Sequence, residues 1–407
     1  MKIIHTSDWH LGHRLYNYDR SDEERDFLGK LKRAVAEERP DALLVCGDVY
    51  HTGAPGNDVA KVFTDRLLEV QSACPEMQIV VIAGNHDSYS RLEIDRSLWR
   101  LCHVHVVGTP AEDRNGKADF ARNVIEIPGK GIIAAVPFCH PRNFPVCGGV
   151  SDGDRMGAYF NGLRKYVADH NPAGLPTVLM AHLAGGKETD VTGQERGNII
   201  GGEECVELES LGDGYDYVAL GHIHCPQWIK GARRSARYCG TPRAIHFDET
   251  YQHGVDVLTL ETGQEPQFKT IEVPALHPLK TLGGRGGRPF EEVLKELETA
   301  DLKVDTYVRL NVSLGRGEVP GGDWDDRARK AASDRGLRFC LVNPVRDGAS
   351  PETPTSATQL TMQELKELSD GDVLDILNAE HELSDRQKDL LGELMAELAE
   401  VDGRAQA

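Results

Sequence analysis

Aspartate, asparagine and histidine recur in this chain in short clusters: Asp8-x-His10, Gly47-Asp48, Gly84-Asn85-His86-Asp87, a lone His182, and Gly221-His222-x-His224. These side chains offer oxygen and nitrogen donors without thiolate, a mixture that suits Mn²⁺, Fe²⁺ or Zn²⁺ better than Ca²⁺. Two such cations about 3.5 to 4 Å apart, bridged by one carboxylate, lower the pKa of bound water, neutralise phosphoryl oxygens and stabilise a leaving oxygen. That is what phosphodiester hydrolysis near neutral pH demands. Any single cluster is a weak signal, because the chain has 16 histidines. His103-x-His105 lies inside an apolar run without a turn glycine and is read as structural, and His182 by itself reads as a hydrogen-bonded histidine.

The order and placement of the fragments carry the argument. Six apolar, strand-like runs end in polar residues: Ile3-Ile4 into His5 to His10, Ala42 to Val45 into Gly47-Asp48, and Ile79 to Ile82 into Gly84 to Asp87. Ile132 to Val136 leads into Pro137 to His140, Val178 to Met180 into His182, and Tyr217 to Leu220 into Gly221 to His224. Helix-like segments separate them, Asp26 to Glu38, Val59 to Gln71, Leu92 to Leu101 and Ala158 to Ala168. Alternating β and α elements indicate an α/β domain, in which sites gather where strands end. Five donor fragments at five strand ends are hard to obtain by chance.

At 407 residues the chain is long enough for two or three units. One catalytic domain is expected over residues 1–275, and a small α/β unit over 276–346. The second unit begins with the glycine- and arginine-rich Gly283 to Pro289, followed by a helix from Phe290 to Leu297, a strand alternating at Val308, Leu310, Val312 and Leu314, and a run from Leu337 to Val342. Residues 347–360 turn to Gly, Ser, Pro and Thr, as in a linker. Two short helices are expected over 361–401. Ser369 with Asp372 and Ser384 with Gln387 stand at capping-box spacing, and Leu390, Leu391, Leu394, Met395 and Leu398 share one face that packs on the chain's own domain or, following a linker as it does, on a partner.

The net charge of −19 opposes non-specific attraction to a polyanion, so DNA binding would have to rest on local basic residues, on metal cations or on a partner chain. The nine cysteines are scattered and never spaced Cys-x-x-Cys, and read as reduced thiols. No secretory signal or membrane-spanning run is evident, so the expected compartment is the cytoplasm, in association with the nucleoid.

The five donor fragments together resemble the calcineurin-like metallophosphoesterase superfamily. The flanking His5-Thr6-Ser7-Asp8-Trp9-His10-Leu11-Gly12, Asp216 to His224, and Tyr238-Cys239-Gly240-Thr241-Pro242 with Phe247-Asp248-Glu249 narrow the resemblance to the SbcD family, the nuclease subunits of bacterial SbcCD double-strand-break repair complexes. The resemblance implies a four-layer α-β-β-α sandwich, a small α/β capping domain that binds DNA, and a C-terminal helical tail that binds an SbcC-type coiled-coil ATPase. It implies two divalent metal ions, expected to be Mn²⁺: Asp8, His10, Asp48 and His224 around one, Asp48, Asn85, His182 and His222 around the other, with Asp48 as the bridge. His86 would serve the leaving oxygen, oriented by Asp87, and His51 matches a histidine that some relatives place near substrate. Cys225 stands where relatives often carry a basic or amide side chain. The implied activity is double-strand exonuclease and single-strand endonuclease action on DNA ends and hairpins in repair, recombination and replication. The alternative is a small-molecule or cyclic-nucleotide phosphodiesterase. The resemblance further implies a homodimer within a heterotetramer, and Val59, Val62, Phe63, Leu67, Val70, Ile94, Leu98 and Leu101 have the periods of helices that could form it, or of core-packing helices.

Overall fold

A strand such as Ala-Leu-Leu-Val-Cys, apolar at every position, is stable only when both of its faces are covered. The computed structural model describes residues 1–148, 155–185, 211, 214–229, 236–315 and 318–346, and meets this requirement with two six-stranded sheets. The first sheet holds β1 (Lys2–Thr6), β2 (Ala42–Cys46), β3 (Gln78–Ile82), β4 (Val104–Val107), β11 (Gly254–Thr259) and β12 (Gln267–Glu272), in the order β12-β11-β1-β2-β3-β4. The second holds β5 (Val124–Ile127), β6 (Gly131–Val136), β7 (Thr177–His182), β8 (Tyr217–Gly221), β9 (Gln227–Trp228) and β10 (Ala236–Tyr238), in the order β5-β6-β7-β8-β10-β9. Strands β1 to β4 are mutually parallel, as are β6, β7, β8 and β10.

Three apolar layers result from the two-residue period of the strands. Ile3, Leu44, Cys46, Val80 and Ile82 face inward and meet Ile133, Val178, Met180 and Ala219 of the other sheet. Ile4, Leu43, Val45, Ile79 and Val81 face outward and are covered by α1 (Ser21–Glu38) and α2 (Asn57–Ala73), through Phe27, Leu31, Phe63 and Leu67. Two single-turn helices follow, α3 (Tyr89–Leu92) and α4 (Arg96–Trp99), and α5 (Arg155–Asp169) covers the outer face of the second sheet through Tyr159, Phe160 and Leu163. The arrangement is the expected four-layer α-β-β-α sandwich. No helix among the described residues is long and apolar enough to cross a membrane.

One expectation needs correction, and a set of positions read two ways is divided. The single helix anticipated over Leu92 to Leu101 is broken between α3 and α4, because the Glu93 carboxylate accepts the Gly108 amide at 2.8 Å and pins the chain to the end of β4. The apolar helical positions also divide by role. Phe63, Leu67 and Val70 belong to the core, whereas Ile94, Leu98 and Leu101 are 78%, 63% and 80% exposed.

The third sheet is parallel, β13 (Leu279–Leu282), β14 (Tyr307–Leu314) and β15 (Arg338–Arg346). It packs on α6 (Phe290–Thr299) and α7 (Trp324–Asp334) around Val293, Leu297, Val308, Leu310, Val312 and Phe339. Helix α7 has no sequence stripe to announce it, since it buries only Ala328 and Ala332. A buried polar bridge ties this sheet to the sandwich. Tyr307 donates to Glu23 at 2.9 Å, Arg20 holds the same carboxylate with two bonds of 2.8 and 2.6 Å, and Arg243 donates to Glu24 and to the carbonyl of His10 at 3.4 and 3.1 Å. The linker at 347–360 and the helical segment at 361–401, with its leucine stripe, lie outside the described residues.

Buried His5 sits between the sheets with Nδ1 2.8 Å from the Tyr217 hydroxyl. Burial, reinforced by the charge of Arg237, pushes its pKa down to about 3. The folded chain therefore keeps His5 neutral while the unfolded chain takes up a proton below about pH 6.5, and stability falls as pH drops through that value, at most about 1.4 kcal/mol per pH unit for this group. Urea unfolding at pH 7 and pH 5 should show the lower midpoint at pH 5, with a smaller difference in His5→Gln.

Candidate metal centre

Parallel strands deliver their C-terminal ends to one place. Asp8 and His10 follow β1, Asp48 follows β2 and Asn85 follows β3. His182 ends β7, and His222 and His224 follow β8. Asp8, His10, Asp48 and His222 all adopt positive φ, 52°, 45°, 48° and 100°, which costs a non-glycine residue about 1 kcal/mol or more. Backbone bonds hold the first three in place, from Asp8 to the Gly47 carbonyl and from His10 to the Asp48 carbonyl, each 3.0 Å. Two glycines are obligatory here for different reasons. Gly47 itself turns at φ 88°, and Gly84 passes so close to Asp48 that a Cβ would collide with its carboxylate and amide.

The structure brings all seven sequence-derived donors together. His10 Nε2 lies 3.3 Å from His224 Nε2 and 3.7 Å from Asp48 Oδ2. On the other side of Asp48, His182 Nε2 lies 3.4 Å from the same Oδ2 and 3.0 Å from Asn85 Oδ1, and His222 Nδ1 lies 3.1 Å from that amide oxygen. Both oxygens of Asp8 accept the His222 amide, at 3.1 and 3.2 Å. Potential ligand atoms of Asp8, His10 and His224, and of Asp8, Asp48 and His182, fall within 4.8 Å of one another. Asp8 is common to both sets, and Asp48 Oδ2 lies between His10 and His182.

The donor set fits divalent cations on its own chemistry. His224 Nδ1 faces Glu249 Oε1 at 2.9 Å and His182 Nδ1 faces the Cys46 carbonyl at 2.8 Å. Both partners are acceptors, so each Nδ1 carries the proton and each Nε2 turns a lone pair toward the pocket. The His182 lone pair then confronts the oxygens of Asn85 and Asp48, an arrangement that calls for positive charge between them. In the metal-free chain a proton meets that demand: burial works against a charged His182, but the Asp48 carboxylate beside it prevails and raises its pKa to about 9, so a cation would bind in exchange for the Nε2 proton. Burial drives His10 well below its ordinary value and lowers His222 to about 3, keeping both imidazoles neutral and available as ligands.

His86 and His51 stand at the edge of this group. The His86 ring lies 4.8 Å from that of His10 and stacks on His51 at 5.7 Å, and the His86 amide donates to Asp48 Oδ1 at 2.9 Å. The ring's orientation differs from expectation: His86 Nδ1 is held at 2.9 Å by the His51 carbonyl. Asp87 instead accepts the backbone amides of Val49, Tyr50 and Gly84 at 3.1, 2.9 and 2.9 Å, bracing the Asp48 loop against the Asn85 loop. An Asp next to a His suggests a side-chain pair, but here the shorter reach is to main-chain donors. Glu249, which in the sequence is only part of a flanking motif, has a role that sequence reasoning missed. It anchors His224, and its other oxygen accepts the Ile245 amide at 2.9 Å. Cys225, directly after His224, is partly buried and forms no disulfide among the described residues.

The calcineurin-like phosphoesterase family model matches residues 1–226. The chain is also similar to three proteins that bear the name of the SbcD component of the nuclease SbcCD. Identity is 35% to the one from Rhodobacter capsulatus, covering 73% of this chain and 75% of that protein. It is 32% to the one from Bacillus subtilis, covering 85% and 86%, and 29% to the one from Escherichia coli K12, covering 70% and 71%.

Losing the acceptor that fixes the His224 tautomer should weaken ligation while leaving the donors in place. Glu249→Ala is expected to bind divalent metal about ten- to a hundredfold more weakly than the parent chain, read by titration of the metal-free protein.

Proposed function

This chain belongs to the calcineurin-like phosphoesterases and, within them, to the SbcD family of nuclease subunits, and from that premise we propose that it is a two-metal nuclease that hydrolyses DNA phosphodiester bonds. The observation that carries the reading is Asp48, set between two groups of lone-pair donors whose tautomers are fixed from behind by Glu249 and the Cys46 carbonyl. Asp8, His10, Asp48 and His224 would hold one ion and Asp48, Asn85, His182 and His222 the other. When bound, the pair supplies an activated water and charge neutralisation on the phosphoryl oxygens. Manganese is the proposed metal.

The chain's own groups then do three things. The paired loops after β1 and β2 hold Asp8 and Asp48 rigidly, so little reorganisation is needed when substrate enters. His86, with Nδ1–H anchored on the His51 carbonyl and its ring 4.8 Å from that of His10, gives a proton from Nε2 to the departing oxygen. His51, stacked on His86, fixes the plane of that ring and narrows the approach to His10.

The reading extends to partners. An SbcC-type coiled-coil ATPase would engage the C-terminal segment in the cytoplasm, in DNA end processing. A second copy of this chain would cover the exposed Tyr89, Ile94, Leu98 and Leu101.

Asp48→Ala should abolish Mn²⁺-dependent degradation of linear duplex DNA without unfolding the chain. Near-parental cleavage by this variant would refute the two-metal assignment. His86→Ala should retain metal by elemental analysis yet lose turnover about a hundredfold or more. Hydrolysis of small diesters with no cleavage of DNA by the parent protein would instead indicate a small-molecule phosphodiesterase.

A further inference from the structure

At the edge of the sandwich where β4 of one sheet meets β5 of the other, a cavity of about 310 Å³ is lined by Arg96, Arg100, Arg122, His105 and Glu126, with an apolar wall that includes Val106 and Val124. Three guanidinium groups gathered in one concavity are unexpected in a chain of net charge −19. Arg96 is the most deeply set, its side chain only 17% exposed. Its one ion pair among the described residues is long, 3.9 Å to Glu93, and that carboxylate already accepts the Gly108 amide at 2.8 Å. Arg100 and Arg122 make no ion pair and no side-chain hydrogen bond among the described residues, and each adds repulsion at Arg96, whose pKa burial already lowers. His105 adds no fourth charge. Its Nε2 lies 3.0 Å from Gln78 Oε1, and burial, then Arg100, lower its pKa to about 4.

We propose that this cavity is a second ligand site, distinct from the metal centre, that takes a phosphate monoester carried on a nucleoside. Guanidinium forks match phosphate oxygens in geometry as well as charge, and three of them suit the dianion of a monoester better than the single charge of a diester. The valine wall accepts the apolar face of a sugar or base, and the volume lies at the small end of the range for small-molecule sites. Glu126 accepts hydrogen bonds from a nucleoside's N–H or O–H groups and disfavours a bare anion. The choice of a nucleoside rests on the nuclease reading, since hydrolysing a DNA phosphodiester creates a phosphate monoester on a nucleoside.

The test uses the full chain stripped of metal with EDTA, so that the metal centre offers no cation to phosphate. Calorimetric titration with 5′-dAMP at fixed ionic strength should show one saturable site, deoxyadenosine none, and inorganic phosphate binding about tenfold weaker or more. Arg100→Ala combined with Arg122→Ala replaces exposed residues and is compatible with folding. This pair should weaken 5′-dAMP about tenfold or more, whereas Asp48→Ala should leave it unchanged. Unaltered 5′-dAMP binding by the double variant, no saturable binding by the parent, or equal binding of phosphate and 5′-dAMP overturns the proposal. Competition by a 5′-phosphorylated oligonucleotide but not its 5′-hydroxyl counterpart makes a DNA end the source of the ligand. Competition by neither makes it the free mononucleotide, and both outcomes support the shared chemistry. Nuclease activity is assayed separately with Mn²⁺. A chain that cuts DNA but ignores 5′-dAMP refutes only this site, and one that binds 5′-dAMP without cutting DNA refutes only the nuclease reading.

Discussion

Two carboxylates, Asp8 and Asp48, are withdrawn from water at the seam between the sheets, and a buried carboxylate must be met by a proton, by hydrogen-bond donors or by a cation. Each part of the seam meets that demand in its own way. Main-chain amides reach both groups, from His222 to Asp8 and from His86 to Asp48. In the metal-free chain His182, its pKa raised to about 9, meets Asp48 with a proton, and its tail is pinned by the Cys46 carbonyl. A cation would take the place of that proton, leaving the histidines to serve as lone-pair ligands.

Such a requirement can be built only where backbone conformation is held against its preference. The left-handed residues at Asp8, His10 and Asp48 persist because two loops hydrogen-bond to each other over Asp87, and because the strands beneath them are locked by three continuous apolar layers. The same rigidity reaches the third sheet through Tyr307, Glu23 and Arg20, which donates to the Ala244 carbonyl next to Arg243, whose guanidinium ends on the carbonyl of ligand candidate His10. A shift of β14 against α1 would therefore be felt at the loop after β1.

Much of this was legible in the sequence for a simple reason. Strand ends at Thr6, Cys46, Ile82, His182 and Gly221 fall at abrupt changes from apolar to ligating residues, so the donors and their scaffold announce one another. What stayed hidden depended on contacts between distant segments. Glu249 is one carboxylate among many until the chain folds back onto His224, and the Cys46 carbonyl is main chain and carries no residue signal. Arg96, Arg100 and Arg122 are ordinary surface charges until β4 and β5 become neighbours. Phe63 and Leu98 show the same helical periodicity, and only tertiary packing decides that one is core and the other surface.

The donors are divided between the sheets: Asp8, His10, Asp48 and Asn85 come from the first, and His182, His222 and His224 from the second. A bound cation pair would thus act as a clasp across the sandwich, adding coordination to an edge otherwise held by packing and by hydrogen bonds such as those from the His222 amide to Asp8 and from His182 to the Cys46 carbonyl. Because the unfolded chain cannot assemble such a set, occupancy and folding are thermodynamically linked, and resistance to unfolding rises with the logarithm of free metal above its dissociation constant. The melting behaviour of this protein is then a property of its ionic surroundings as much as of its chain.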